Sequence, residues 1–284
     1  MKMKLFVLAI LALLPVSAQQ GVQQKKATPP KSVRLYVFDC GSLNPTDVSP
    51  YQFKKEELAT TLMSVPCFLV AHPKGTLAWD VGAVPDSNFK VDGAPATLRY
   101  ATTVNPLRKQ MAAIGYSPSD ITYLALSHFH WDHVGNANLF LGSTWLVTKK
   151  ERDVMFSDPP SPRTEPANYA ALRNAKTKLI DKKEYDVFGD GTVVIRAAPG
   201  HSPGHQVLFL KLAKTGPVML SGDLYHYPEE RKFNRVPSTE FDAAQTAASR
   251  AEVEAFLKKS GAQLWIQHDF TANAKLKRAP EFYD

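Results

Sequence analysis

Residues 127–135 read Ser-His-Phe-His-Trp-Asp-His-Val-Gly, and this stretch limits what the chain can become more than any other. His128, His130, Asp132 and His133 put four metal-capable side chains within six residues. The run before them, residues 121–126, is apolar and reads as a buried strand. A strand ending in a tight loop aims His128 and His130 at one ion and turns Asp132 and His133 toward a second. Imidazole and carboxylate together suit zinc, and also iron, manganese or cobalt. A lone histidine on an apolar face is ordinarily core or surface; four ligand types at this spacing make a metal site.

Later segments complete the set. Pro199-Gly200-His201-Ser202-Pro203-Gly204-His205 follows a strand and offers His201 in a glycine-bounded turn. Ser221-Gly222-Asp223 offers Asp223, and Ile266-Gln267-His268-Asp269 offers His268. Trp79-Asp80-Val81-Gly82 closes an earlier strand. Each lies just past a strand, where side chains can converge on one edge of a sheet pair. His205 is expected to pack or hydrogen-bond near the site, and His72, before a turn, to be structural.

Strands are expected over 33–38, 67–71, 77–79, 121–126, 183–188, 192–197, 206–212, 218–220 and 263–267. One helix is expected to start at Asn105 as N-cap with Pro106 at its first position and Gly115 at its end. A longer helix is expected over 242–259, stopped by Gly261, with Ala244, Ala247, Ala248, Ala251 and Phe256 as its apolar face. Strands come in runs and then helices, twice over. That order predicts an α+β fold with two sheets sandwiched between helices. Residues 83–104 and 158–168 are left as long loops, which in compact domains often act as lids. Phe89, Tyr100, Met155 and Phe156 are candidates for an apolar substrate groove.

With 284 residues, 44% of them hydrophobic, the chain can bury one large core. Lys2 and Lys4 precede an apolar run at 5–14, and Val16-Ser17-Ala18 looks like a cleavage site. Ten apolar residues are too few to cross a bilayer. The expectation is a signal peptide at 1–18, a flexible leader at 19–32 and a single domain at 33–284. Such a protein is exported, periplasmic or secreted, and free of the membrane after cleavage. A net charge of +7 without a basic stripe gives no reason to expect nucleic acid. Cys40 and Cys67 fit either a disulfide or two buried thiols.

The whole set resembles the metallo-β-lactamase superfamily across 33–284, and within it the N-acyl-homoserine lactonases. The likeness is carried by residues 127–135, by Pro-Gly-His-Ser-Pro-Gly-His-Gln at 199–206, and by His268-Asp269 followed by Pro280-Glu281-Phe282-Tyr283. It implies an αββα sandwich of two mixed β-sheets flanked by helices, holding two divalent metal ions, zinc foremost. His128, His130 and His201 would hold the first ion, Asp132, His133 and His268 the second. Asp223 would bridge them together with a hydroxide. Asp80 matches a position that buttresses a ligand histidine.

The implied activity is metal-dependent opening of the lactone ring of N-acyl-homoserine lactones, which is quorum quenching. The implied partner is a small-molecule lactone, and the implied assembly a monomer or homodimer. Asp223 would be catalytic through its bridge, and Asp132 by relaying a proton to the leaving oxygen. The lactonases carry a tyrosine three residues after the bridging aspartate, where this chain has His226 between Tyr225 and Tyr227. A one-residue shift of the loop makes Tyr225 the expected substrate contact, with Tyr227 as the alternative. β-Lactams and phosphotriesters are the competing substrate classes, although β-lactamase branches lack the bridging carboxylate.

Overall fold

The computed structural model describes residues 26–91 and 93–284. The expected signal peptide and most of the leader therefore lie outside the described residues. The leader's last residues are not free of the domain: Ala27 N–H donates to Gly115 O, and Lys26 pairs with Asp120.

In chain order the described strands are β1 (Arg34–Leu43), β2 (Met63–His72), β3 (Gly75–Trp79), β4 (Ala96–Leu98), β5 (Ala101–Thr103), β6 (Tyr123–Ala125), β7 (Thr144–Val147), β8 (Thr177–Leu179), β9 (Glu184–Asp186), β10 (Val193–Ala197), β11 (Gln206–Leu212), β12 (Gly216–Leu220) and β13 (Gln263–Trp265). The α-helices are α1 (Leu107–Ala113), α2 (Lys149–Met155), α3 (Pro166–Tyr169), α4 (Pro228–Phe233), α5 (Ala243–Ser260) and α6 (Phe270–Asn273). One sheet runs β4-β5-β1-β2-β3-β6-β7-β8 and the other β13-β12-β11-β10-β9. Both are mixed: β3, β6, β7 and β8 pair in parallel, as do β12 and β13, and the remaining neighbours are antiparallel.

Strand alternation builds the layers. In β1, Leu35 and Val37, with Phe68 and Val70 of β2, face the second sheet, where they meet Leu208, Leu210 and Val218. Tyr36, Phe38 and Cys40 face the opposite way, into a core beneath α1 and α2. In β11, Val207 and Phe209 turn away from the sheet interface and pack with Val253 and Leu257 of α5. Three cores between four layers give the expected αββα sandwich. Burying each such leucine or valine contributes about 1.5–3 kcal/mol, so the sheet pair is a rigid platform.

Several local expectations change. Helix α1 begins at Leu107, with Pro106 at its N-cap. Asn105 does not cap it; its amide donates to Asp39 Oδ2. The first-turn N–H groups of Leu107 and Arg108 instead donate to the carboxylate of Asp86, from far earlier in the chain. Helix α5 has the expected extent, with Asp242 as N-cap and Gly261 at its left-handed end. Its buried face, however, is Thr246, Ser249, Arg250, Val253 and Leu257; Ala244, Ala247, Ala248 and Ala251 are exposed. The polar members are buried because each has a partner: Thr246 bonds Glu240, Ser249 bonds Pro199 O, and Arg250 bonds Leu224 O and Glu230. The 83–104 loop carries the β4–β5 hairpin. Cys40 and Cys67 form a disulfide joining β1 to β2, beneath Gly82.

Candidate metal centre

Every candidate side chain lies just beyond a strand, on the same edge of the sandwich. Asp80 follows β3, His128 to His133 follow β6, His201 follows β10, Asp223 follows β12 and His268 follows β13. Two groups result. His128, His130, His201 and Asp223 form the first, and Asp132, His133, Asp223 and His268 the second.

In the first group His130 Nδ1 lies 2.7 Å from His128 Nε2 and 2.9 Å from His201 Nε2. Asp223 Oδ2 is 3.5 Å from His128 Nε2 and 3.4 Å from His201 Nε2. In the second group Asp223 Oδ1 is 3.0 Å from His133 Nε2 and 3.1 Å from His268 Nε2. Asp132 Oδ2 completes it, 3.5 Å from His268 Nε2 and 3.7 Å from His133 Nε2. The two oxygens of Asp223 therefore belong one to each group.

The far side of most imidazoles is tied down. His133 Nδ1 donates to Asp80 Oδ2 at 2.9 Å, His201 Nδ1 to Glu240 Oε1 at 2.9 Å, and His268 Nδ1 to Ser64 O at 2.7 Å. Such bonds fix the tautomer and turn the Nε2 lone pair inward. His128 Nδ1 rests on Ser127 Oγ at 3.0 Å, so Ser127 has a structural role. Burial, followed by the charge of the neighbouring histidines, keeps His128 and His130 neutral, with pKa values well below the usual range. Burial opposes charge on Asp223, but His133, His268, His128 and His226 hold its carboxyl well below the carboxylate range.

The donor set fits divalent ions on one further observation. His133 Nε2 and Asp223 Oδ1 are both fully buried, face each other, and have no hydrogen-bond partner. Orphaned buried polar atoms are costly, and a cation between them removes the cost. The backbone is shaped to the same end. Gly222 has φ +51°, and a Cβ there would come within 2.7 Å of His205 Nε2 and Ser127 Cβ. His205, kept neutral by burial with its pKa down to about 3, donates from Nδ1 to Ala198 O and accepts from Asp223 N–H at Nε2.

Comparison with known proteins bears on the same residues. Residues 60–262 match the metallo-beta-lactamase superfamily. The chain belongs to that superfamily. It is 27% identical over 263 residues to the N-acyl homoserine lactonase AttM of Azorhizobium caulinodans, covering 89% of this chain and 99% of that one. It is also 27% identical over 234 residues to the N-acyl homoserine lactonase AiiA of Bacillus thuringiensis subsp. kurstaki, covering 78% and 88%. A solved N-acyl homoserine lactone hydrolase, with its product N-hexanoyl-L-homoserine at the catalytic metal centre, superposes with a TM-score of 0.72 at 23% identity, covering 88% of this chain and 99% of that one. AidC, a dizinc quorum-quenching lactonase, superposes with a TM-score of 0.65 at 19% identity, covering 92% and 96%.

In this member of the superfamily a cavity of about 340 Å³ opens over the two groups. Leu43, Tyr51, Met63, Tyr100 and Trp131 give it apolar walls, and Asp132, His226, Arg99 and Arg163 add polar ones. Tyr100 is the one sequence candidate for the groove that lines it. Phe89, Met155 and Phe156 pack in or against the core under α1 and α2.

The expected loop shift does not occur, and Tyr225 is not at the site. Its hydroxyl donates to Glu254 Oε1, and its ring lies under Arg250 in the core against α5. Tyr227 points to Thr61 O. The unshifted register leaves His226 facing the cavity, its Nε2 3.3 Å from Asp223 Oδ2 and its Nδ1 3.2 Å from Glu230 Oε1. Burial opposes charge there, but Glu230 and Asp223 raise the His226 pKa to about 10.

Sequence reasoning missed the acids and the aromatic that surround the centre. Glu240 holds His201, Glu230 holds His226 and is itself paired with Arg250, and the Tyr51 ring packs tilted against His226, 4.8 Å between ring centres. None has a motif. Glu151 was missed too. Its buried carboxyl accepts from Phe129 N–H, Ser202 Oγ and Gly204 N–H, clasping the two histidine loops together.

Burial raises the Glu151 pKa from 4.5 to about 7. Between those values the folded state keeps a proton that the unfolded chain releases, so stability falls as pH rises and is level above about 7. In chelated protein, wild type should lose on the order of 3 kcal/mol relative to Glu151→Gln over that window. Denaturant unfolding at several pH values measures the difference; a flat difference contradicts it.

Proposed function

We propose that this protein is a two-metal lactonase that opens N-acyl-homoserine lactones. The observation that carries the reading is Asp223, whose two oxygens are divided between two groups of buried histidines. The likeness to curated N-acyl homoserine lactonases over nearly their full length supports the substrate class. A pair of divalent ions, when bound, lowers the pKa of a shared water and polarises a carbonyl.

The chain's own residues do the rest. His128, His130 and His201 hold one side of the centre and Asp132, His133 and His268 the other. Tyr51, Tyr100 and Trp131 wall the cavity and take up the acyl chain. Asp132, on the cavity floor, is the carboxylate that passes a proton to the ring oxygen as it leaves. The reaction adds the elements of water across the ester bond. Hydroxide joins the acyl carbon, the ring C–O bond breaks, the former ring oxygen becomes a hydroxyl, and a carboxylate and a proton are released. No serine or cysteine nucleophile is required, since Ser127 is tied to Asp80 and both described cysteines are in a disulfide.

The test is a substrate panel: N-hexanoyl- and N-dodecanoyl-homoserine lactone, nitrocefin and paraoxon, each before and after chelation. The expected result is chelator-sensitive opening of the lactones, with the other two substrates slow. Fast nitrocefin or paraoxon turnover with inert lactones would replace this reading by a β-lactamase or a phosphotriesterase.

A further inference from the structure

Two arginines line the cavity, and they are not equivalent. Arg99 is spent: its guanidinium pairs with Glu165 at 3.2 Å and lies over the Trp131 ring, 5.3 Å from its centre. Arg163 is half-buried, and among the described residues no carboxylate pairs with it. Among those residues its guanidinium makes one hydrogen bond, from Nη2 to the backbone oxygen of Thr239.

Arg163 is nevertheless held at both ends. Its carbonyl accepts from Trp131 N–H at 3.1 Å, in the middle of the histidine box between His130 and Asp132. Its side chain reaches Thr239, the neighbour of Glu240, which in turn holds His201. The guanidinium is thus fixed relative to the metal groups from two directions. Its charge, behind burial and His201, is among the influences that keep His130 neutral. Among the described residues, the other four of its five N–H groups have no acceptor. A fixed, unpaired guanidinium in a cavity is preorganised for acceptor oxygens of a ligand.

We propose that Arg163 is a specificity-determining residue that selects acyl chains bearing a second carbonyl beside the amide, that is, N-(3-oxoacyl)-homoserine lactones. The inference rests on the lactonase reading above. A 3-oxoacyl amide presents two carbonyl oxygens in a 1,3 relation, which the planar fork of a guanidinium can bind with two parallel N–H groups. An unsubstituted acyl amide presents one. One more hydrogen bond to a charged donor corresponds to a preference of about tenfold or more. The shape of the fork, and not charge alone, carries the selection, because a lysine offers a point charge.

The experiment compares kcat/KM for N-(3-oxohexanoyl)- and N-hexanoyl-homoserine lactone in wild type, Arg163→Met and Arg163→Lys. A ratio within one preparation does not depend on how much of the sample is active. Calorimetric binding of the two ring-opened products to the same proteins gives a readout apart from turnover. The expected wild-type ratio is about tenfold in favour of the 3-oxo substrate, collapsing toward one in both variants, with the product affinities following. Lactones that are opened with a ratio near one in wild type, or with a ratio the variants keep, overturn the role of Arg163 and leave the lactonase reading standing. Lactones that are inert in metal-replete wild type overturn both.

Discussion

Asp223→Asn is expected to lower lactone turnover by on the order of a thousandfold or more in metal-replete protein. The two carboxylate oxygens divide between the groups, Oδ1 lying 3.0 Å from His133 Nε2 and Oδ2 3.4 Å from His201 Nε2. Asparagine offers one oxygen and, in place of the other, an amide NH2 whose nitrogen has no lone pair to give. Whichever way the amide turns, one group faces a donor where it had an acceptor. The backbone arrangement does not depend on the carboxylate, because Asp223 N–H is held by His205 and Gly222 supplies the left-handed turn. Circular dichroism checks that the fold survives, and steady-state kinetics measure the loss. Turnover within tenfold of wild type would contradict the bridging role.

Asp80→Asn should separate the two groups. Asp80 is buried, and its carboxylate accepts from Ser127 N–H at 2.6 Å, Ser127 Oγ at 2.8 Å, His133 Nδ1 at 2.9 Å and Gln267 Nε2 at 2.7 Å. All four partners are donors, so an amide NH2 must point at one of them. Its backbone is left-handed, φ +49°, a conformation asparagine adopts as readily as aspartate. The substitution therefore tests the carboxylate and not the turn. Loss of the partner that orients His133 is expected to weaken metal binding in the second group by about 10- to 100-fold. Losing a charged acceptor for a buried donor should cost about 2–3 kcal/mol of stability. After dialysis against a weak chelator, metal content should fall from two ions per chain toward one. Equal loss from both groups, or no loss, would contradict the assignment of Asp80 to His133.

The fold was legible where strands are continuous and buried. Residues 206–212 are β11 as expected, and α5 runs from its Asp242 cap to Gly261 as its capping residues require. The metal-capable residues were legible because each lies in a short segment that follows a strand. What stayed hidden depends on partners far away in sequence. The α5 alanines form an apolar stripe on paper, yet the helix buries Thr246, Ser249 and Arg250 because Glu240, Pro199 O and Glu230 satisfy them. Asp86 caps α1 across more than a dozen residues of loop, so Asn105 was the natural but mistaken choice. The segment after Asp223 could not be read because three aromatic side chains follow in a row. Only packing sends Tyr225 to Glu254, Tyr227 to Thr61 and His226 to the cavity.

The most direct test is a zinc titration of metal-free protein, following the opening of N-hexanoyl-homoserine lactone by proton release. The account predicts no opening without metal, and activity that rises to a plateau at two equivalents of zinc per chain. Opening that needs no metal, a plateau at one equivalent, or two bound ions with the lactone untouched would contradict it.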